Sequence, residues 1–252
     1  MLKELSAHRH RLVTILLPLA GLAVAASTAA AAGSPGRACR AGAVQNMGGE
    51  RRAVVAVAVA PLAARESPGG PVLARFDIVN QNDFPTVFLV RARKMDVSCR
   101  VAWYRVQLPL RPNGRTAWVA AWRVRLASVT TRIDVDLSER RLRLYVSGRV
   151  QLTTRAGIGA PRTPTPVGRF YVNQILIPAV PDGPFGPAAF GVSAFSPTLT
   201  DWPQGGPIAI HGTNDQGSIG AAVSRGCIRI SDAAARVLHR LVLAGTPVVI
   251  HR

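Results

Sequence analysis

Two residues in the C-terminal half, Cys227 and His211, have the types needed for nucleophilic catalysis. A thiol is a poor nucleophile until it loses its proton, and a neighbouring imidazole can take that proton to leave a reactive thiolate. His211 ends a short apolar strand pattern at Pro207–Ile210 and precedes Gly212, whereas Cys227 follows Gly226. Glycine at these points lets backbone N–H groups approach a reacting carbonyl group and stabilise an oxyanion. A lone cysteine with a distant histidine is only a candidate pair, because free cysteine is often a small buried apolar side chain.

The elements that must position this pair are predicted to be mainly β. Alternation of apolar and polar residues over Ile133–Leu137 and Leu142–Val146 predicts two half-buried strands. Residues 178–207 are rich in Pro and Gly and predict a long loop, whose aromatic residues either form a binding loop or pin it to the body. One helix is predicted between an N-cap at Ser231 and a stop at Gly245.

The region from 51 to 128 contains short apolar runs separated by turn signals such as Arg111–Gly114. Strands this short at this spacing predict a small β barrel. The segment from Trp103 to Val119 resembles the closing hairpin of bacterial SH3-like domains, with Ala117 where Gly is expected before the Trp. The predicted organisation is therefore an SH3-like β domain at 51–128 followed by a second β domain at 129–252.

The first 32 residues have the three-part pattern of a secretory signal peptide. A positive start at Lys3–Arg11 precedes the mostly apolar run Leu12–Ala26, and small residues then end in an A-x-A cleavage pattern at Ala30–Ala32. A retained N-terminal membrane anchor is the alternative, although the run falls short of the ~20 apolar residues of a spanning helix. Residues 33–50 predict a flexible lead-in. We therefore expect an exported protein of the cell wall or periplasm.

The chain of 252 residues is strongly basic, with 31 Lys and Arg, 13 Asp and Glu, and a formal net charge of +18. Such a charge favours nucleic acid, a membrane surface or a polyanionic polymer as partner. An exported protein does not normally meet chromosomal DNA, so we expect no nucleic acid and consider an anionic cell-wall polymer as partner. General solubility and genome composition are the alternative explanation of the arginine excess.

The chain has three cysteines, Cys39, Cys99 and Cys227. In an oxidising compartment Cys39 and Cys99 could form a disulfide, which would leave Cys227 as a free thiol. The three cysteines do not have the spacing of metal ligands, so we expect neither a metal nor another cofactor.

Several motifs follow one another along the C-terminal half. They are Gly159–Phe170 with its Thr-Pro-Thr-Pro sequence, His211-Gly212-Thr213-Asn214, Ser218-Ile219-Gly220 and Ser224-Arg225-Gly226-Cys227-Ile228-Arg229. In this order they resemble the L,D-transpeptidase (YkuD-type) catalytic domain, and the resemblance covers roughly 131–251, about half of the chain. It implies a β-sandwich with a small helical element.

The resemblance also implies roles for individual residues. Cys227 matches the acyl-accepting nucleophile and His211 its general base, while the carbonyl group of Gly212 would orient the imidazole through the other ring nitrogen. Backbone N–H groups of Gly226 and Cys227 are the candidates for the oxyanion hole.

Three more positions of the cysteine motif are candidate site residues. Ser224 would support the cysteine loop through hydrogen bonds, and Arg229 would position the substrate or brace that loop. Arg225 stands where many members have His, so a role copied from the family onto this position does not transfer.

The implied reaction is acyl transfer without ATP on peptidoglycan stem peptides, which serve as donor and acceptor. Cys227 would attack the bond between the third residue and D-Ala of a tetrapeptide stem, release D-Ala and form a thioester. The amine of a neighbouring stem would then give a 3→3 cross-link, and a carbapenem is expected to acylate the same thiol. Water as acceptor would make the protein an L,D-carboxypeptidase, and a protein amine would make it an anchoring enzyme. A non-catalytic cell-wall-binding protein is the alternative from another class.

Overall fold

The computed structural model describes residues 40–49, 51–200 and 206–252. The predicted signal peptide and Cys39 lie outside these residues. The prediction of a mainly β fold is confirmed, with β-sandwich sheets and, among the described residues, one α-helix. No helix in the described ranges has the length and apolar character needed to cross a membrane.

Eight strands up to Val129 form the first sheet. They are β1 (Val44–Asn46), β2 (Ala53–Ala58), β3 (Leu62–Arg65), β4 (Val72–Phe76), β5 (Val87–Met95), β6 (Val101–Gln107), β7 (Thr116–Ala120) and β8 (Val124–Val129). Their order is β4-β3-β7-β6-β5-β2-β8, and β1 pairs with β5. Part of the predicted flexible lead-in is therefore a strand, because Val44–Asn46 pairs with residues 92–94. A 3₁₀ turn at Ala121–Arg123 separates β7 from β8.

Ten strands make up the rest of the fold. They are β9 (Thr131–Asp136), β10 (Arg141–Val146), β11 (Arg149–Arg155), β12 (Ile158–Gly159), β13 (Gly168–Leu176), β14 (Ala189–Phe195), β15 (Pro207–His211), β16 (Ala222–Ser224), β17 (Ile228–Arg229) and β18 (Pro247–His251). Eight of them form the second sheet, in the order β11-β10-β9-β18-β13-β14-β15-β17, and β12 pairs separately with β16.

Strand β13 connects two layers of the second sheet. Its first half, Gly168–Tyr171, pairs with β18, whereas the half from Val172 to Leu176 pairs with β14. A strand that changes partners in this way can turn one sheet into two packed layers. The core between them includes the buried side chains of Ile133, Leu144, Phe170, Phe190, Ile210, Ile228 and Leu238.

Strand β14 corrects the prediction of a long loop over 178–207. All but the last of its seven residues are buried. A strand covered on both faces has no polar side to alternate with its apolar side, so the period-two pattern that predicts strands is missing.

The helix α1 (Asp232–Leu241) begins where the sequence predicts. The hydroxyl oxygen of Ser231 accepts a hydrogen bond from the backbone N–H of Ala234 at 3.2 Å, which caps the first turn. The helix ends at Leu241, so the prediction of Gly245 as its stop is wrong. Gly245 instead has φ +91 and lies directly against the side chain of Val55, where a side chain would not fit.

The two sheets share part of their cores around Tyr171. This side chain is fully buried and packs with Val55 and Leu89 of the first sheet. Its hydroxyl group lies 3.1 Å from the carbonyl oxygen of Val87 and 3.2 Å from that of Gln107. Burial raises the pKa of Tyr171, so the hydroxyl remains a hydrogen-bond donor to these carbonyl groups.

Candidate active site

The pairing of β15 with β17 places the candidate residues on one face of the sheet. The two strands are parallel, with Ile210 opposite Ile228 and His211 opposite Arg229. Four isoleucines fill the core face: Ile208, Ile210, Ile228 and Ile230. Because side chains alternate along a strand, His211, Arg229 and the adjoining Cys227 belong to the opposite face.

His211 is held in one orientation by its own turn. The imidazole is buried, with 3% of the residue exposed, and its Nδ1 lies 2.5 Å from the carbonyl oxygen of Gly212. A carbonyl oxygen can only accept, so Nδ1 carries the proton and Nε2 is left with a free lone pair. Burial lowers the pKa of His211, and the positive charge of Arg229 lowers it further, while the bond to Gly212 acts in the opposite direction. The imidazole is thus neutral near pH 7, the form that accepts a proton.

Cys227 is a free thiol directly before β17. Burial raises the pKa of the Cys227 thiol, and a backbone hydrogen bond from Ala209 and the charge of Arg229 oppose this effect. The resting side chain is therefore the neutral thiol, which needs a base to react. Cys227 and His211 both lie in the described part of the chain, and no hydrogen bond joins them. Catalytic hydrogen bonds often tighten only when substrate is bound.

Ser224 stabilises the loop before Cys227 through two hydrogen bonds within that loop. Its hydroxyl group donates to the carbonyl oxygen of Cys227 at 2.6 Å and accepts from the N–H of Gly226 at 3.1 Å. The Gly226 N–H is therefore occupied, and the N–H of Cys227 is the other oxyanion candidate. Gly226 has φ +112, and a Cβ there would lie 2.8 Å from the side chain of Ile208. Only glycine fits this position without strain.

The Thr-Pro-Thr-Pro segment braces the same loop from outside. The hydroxyl of Thr163 donates to the carbonyl oxygen of Ser224 at 3.0 Å, and that of Thr165 donates to the carbonyl oxygen of Gly226 at 2.9 Å. Thr165 also accepts from the N–H of Gly159 at 2.9 Å. The sequence predicted no role for these threonines, although they belong to the Gly159–Phe170 motif.

Arg229 and Arg225 have different environments. Arg229 forms an ion pair with Asp215 at 3.1 Å, and its buried Nε has no hydrogen-bond partner among the described residues. Its charge acts on both His211 and Cys227, so it lies near these two side chains. Arg225 is exposed.

The loop after β13 packs against the histidine turn, a contact that the sequence did not predict. The ring of Phe185 meets the His211 ring edge to face, with centroids 5.1 Å apart, and 52% of Phe185 is exposed. The next residue, Gly186, has φ +62, and a Cβ there would lie 2.5 Å from both Gly212 Cα and Asp232 Oδ1. Asp232 in turn accepts from the N–H of Thr213 at 3.0 Å. The loop, the histidine turn and the first turn of α1 thus fit closely together.

The remaining predictions from the sequence concern a disulfide at Cys99 and the absence of a metal site. Cys99 is disulfide-bonded, while Cys39 lies outside the described residues. Within the described ranges, no group of three or more His, Cys, Asp or Glu side chains has the arrangement of a metal site. The chemistry available at the site is that of a thiol, an imidazole, an arginine and backbone N–H groups.

Comparisons with known proteins match the part of the chain that contains His211 and Cys227. The family model of the YkuD L,D-transpeptidase catalytic domain matches residues 130–250. The chain is 36% identical over 125 residues to the YkuD protein of Bacillus subtilis, which covers 50% of this chain and 68% of that protein. It is 38% identical over 123 residues to YkuD of Bacillus licheniformis, which covers 49% of this chain and 67% of that protein. Both proteins are named as L,D-transpeptidases provisionally.

Solved structures with related segments include L,D-transpeptidases from two bacteria. A mutant of the Enterococcus faecium enzyme is 28% identical, with a TM-score of 0.39, over 48% of this chain and 49% of that one. L,D-transpeptidase 3 from Mycobacterium tuberculosis, in complex with a faropenem-derived adduct, is 17% identical, with a TM-score of 0.40, over 56% and 75%. This chain therefore spans about half the length of the Enterococcus structure.

Proposed function

Since this chain belongs to the YkuD family of L,D-transpeptidase catalytic domains, we propose that it is an exported cysteine L,D-transpeptidase that forms 3→3 peptidoglycan cross-links. One observation carries the proposal. The imidazole of His211 is neutral and fixed through Nδ1 to the Gly212 carbonyl, on the sheet face that also holds Cys227. A buried thiol with a raised pKa needs such a base within the same site.

The first half of the reaction forms the thioester. Nε2 of His211 takes the thiol proton of Cys227 as sulfur attacks the carbonyl carbon between the third stem residue and D-Ala. The oxyanion that forms accepts a hydrogen bond from the Cys227 N–H, because the Gly226 N–H is donated to Ser224. The imidazolium then returns the proton to the departing amine, and D-Ala leaves.

The second half transfers the acyl group to an amine of a neighbouring stem. His211 removes a proton from that amine as nitrogen attacks the thioester carbon, and the thiolate leaves and regains a proton. The energy of the original peptide bond is retained in the thioester, so no ATP is needed. If water takes the place of the amine, the same steps give an L,D-carboxypeptidase.

Arg229 has an electrostatic role in this scheme. It lowers the pKa of both His211 and Cys227, which favours the neutral base and the thiolate nucleophile. Its ion pair with Asp215 and its half-buried position hold the guanidinium near the thiol. Arg225 is exposed and is assigned no chemical step.

Export and the identity of the first sheet belong to the proposal as well. The signal-peptide pattern of residues 1–32 supports export, and the disulfide-bonded state of Cys99 fits an oxidising compartment. The SH3-like character of residues 51–128 stays a prediction that rests on the hairpin from Trp103 to Val119.

The decisive experiment measures acylation and product structure together. The protein is incubated with a carbapenem and weighed intact, and in parallel with disaccharide-tetrapeptides whose products are separated and sequenced by mass spectrometry. We expect a carbapenem adduct that is absent in Cys227→Ala, and 3→3 dimers with release of D-Ala.

The other outcomes separate the alternatives. Tripeptide products without dimers would assign an L,D-carboxypeptidase. Absence of both adduct and product, with sacculus binding undiminished in Cys227→Ser, would assign a non-catalytic cell-wall-binding protein.

A further inference from the structure

The face of the first sheet that carries Ala63 and Ala120 contains a trough that lies outside the catalytic machinery. Ala63 pairs with Arg75 across β3 and β4, and Ala120 pairs with Trp103 across β7 and β6. Arg65 pairs with Trp118 between β3 and β7, so two residues further along this antiparallel pair Ala63 lies beside Ala120. One row across four strands therefore has two methyl groups in the middle and long side chains at both ends. Small residues between large ones leave a channel along the sheet.

The neighbouring residues enclose this trough. The 3₁₀ turn at Ala121–Arg123 follows β7 directly and places Trp122 at one side. The guanidinium of Arg123 lies 3.8 Å from the centroid of the Trp122 ring. Together with Arg65 and Phe76, these residues line a cavity of about 580 Å³. This volume lies within the range of ~300–1,000 Å³ that is usual for small-ligand sites.

The charges of the trough are mostly uncompensated. Arg65, Arg75 and Arg123 line it together with a single carboxylate, Asp77. None of these three arginines takes part in an ion pair among residues 40–49, 51–200 and 206–252. Arg65 is oriented by donating to the carbonyl oxygen of Gly70 at 2.7 Å. A planar guanidinium suits carboxylate and phosphate groups, because it can donate two parallel hydrogen bonds.

Trp122 is unusual for its exposure. This residue is 70% exposed, although an indole gains free energy from burial. Exposed aromatic surface rimmed by polar side chains is typical of binding sites. The C–H bonds of a sugar ring carry a slight positive charge and fit the negative face of an indole ring. The trough thus combines a stacking surface for sugar rings with arginines for acidic groups.

We propose that this trough binds an acidic glycan, with sugar rings on Trp103 and on the face of Trp122 that Arg123 does not cover, and with the acidic groups on Arg65, Arg75 and Arg123. The acidic group is a carboxylate or a phosphate, since both fit a guanidinium. The preference for a glycan over a nucleic acid rests on the proposed export of the protein. Binding itself requires neither Cys227 nor His211, so it is separable from the proposed catalysis.

The test measures binding with the full-length Cys227→Ala protein, which prevents turnover. Fluorescently labelled oligogalacturonate supplies sugar with carboxylates, and poly(glycerol phosphate) bearing sugar substituents supplies sugar with phosphates. Chitohexaose supplies neutral sugar, and single-stranded DNA and polyglutamate supply charge on other polymers. Dissociation constants are measured by fluorescence anisotropy at one ionic strength.

The variants separate stacking from charge. We expect Trp122→Ala to weaken binding of at least one acidic glycan about tenfold and Trp122→Phe to weaken it less, because the ring face is retained. Arg75→Ala should weaken it several-fold, whereas Arg149→Ala, which removes the same charge from exposed β11, should change it little. Trp122 is mostly exposed, so its variants should fold, and circular dichroism checks this.

Three results would overturn the proposal. The first is equal weakening by Arg75→Ala and Arg149→Ala, which would show attraction by overall charge. The second is no loss of binding in Trp122→Ala. The third is tighter, Trp122-dependent binding of DNA or polyglutamate, which would assign the trough to another class of polymer. Preference between the two acidic glycans decides between carboxylate and phosphate.

Discussion

The cysteine site of the second sheet and the arginine-tryptophan trough of the first sheet are built in opposite ways. At the cysteine site, side chains are largely buried and the backbone is fixed by hydrogen bonds from Ser224, Thr163 and Thr165. In the trough, long side chains such as Trp122 and Arg75 stand in solvent over a floor of alanines. Catalysis requires groups held to within a fraction of an ångström, whereas binding a polymer tolerates mobile side chains.

Replacing the nucleophile should have the largest effect and separate the two regions most clearly. In Cys227→Ala we expect the carbapenem adduct to disappear and turnover to fall by a factor of at least about 10³, because no other group forms the thioester. Acidic-glycan binding should be unchanged. Intact mass spectrometry and fluorescence anisotropy on the same sample measure both, and a persistent adduct would assign the nucleophile to another residue.

Replacing the base should have the next largest effect. His211→Gln removes the proton acceptor, and we expect acylation to slow about 10²–10⁴-fold.

In the native protein, burial lowers the pKa of His211 and raises that of Cys227. The neutral imidazole and the neutral thiol therefore coexist over a wide pH range. On the acid side, activity should fall only at pH values below the ordinary pKa of histidine. On the alkaline side, it should fall only at pH values above the ordinary pKa of a thiol. Stopped-flow acylation rates measured as a function of pH locate these two declines. A sharp optimum near pH 7 would contradict a lowered pKa of His211 and a raised pKa of Cys227.

Removing the hydrogen bonds of Thr165 tests whether a fixed backbone distinguishes the proposed active site from the trough. Thr165→Val removes the hydrogen bond to Gly226 and leaves the N–H of Gly159 unpaired in a buried place, at a cost of about 1–3 kcal/mol in stability. We expect a loss of acylation rate of roughly tenfold, because the cysteine loop is displaced.

The matched control for this brace is Thr153→Val on the exposed side of β11, which should leave both stability and rate unchanged. Thermal melting and acylation kinetics provide the readouts. An unaltered rate in a destabilised Thr165→Val protein would show that the threonine supports the fold alone.

Removing the Phe185 ring that contacts His211 should have the smallest effect. An edge-to-face aromatic contact contributes about 0.5–1.5 kcal/mol, so Phe185→Ala should slow acylation by a few-fold to about tenfold. Because burial lowers the pKa of His211, exposing the imidazole should raise that pKa toward its ordinary value. The acid limb of the rate profile should then move to higher pH, while Phe185→Tyr should keep it in place. An unshifted limb would mean that the ring does not shield the imidazole.

The sequence anticipated local features well because they depend on short stretches of chain. Strands β9 and β10 and the N-cap Ser231 follow from alternation and capping within a few residues. Strand β14 was missed, since its burial on both faces removes the alternation. The helix stop at Gly245 was misplaced because that glycine serves the turn against Val55 instead.

The sequence by itself determined the family of the second half of the chain and predicted which of its residues carry the chemistry. The spacing of His211-Gly212 and Ser224–Arg229 needed no knowledge of distant contacts. Only the tertiary structure decided that the Gly226 N–H is occupied by Ser224, that Phe185 meets His211, and that Ala63 lies beside Ala120. The physical reason is that these contacts depend on the register and packing of segments far apart in the chain, which no local pattern records.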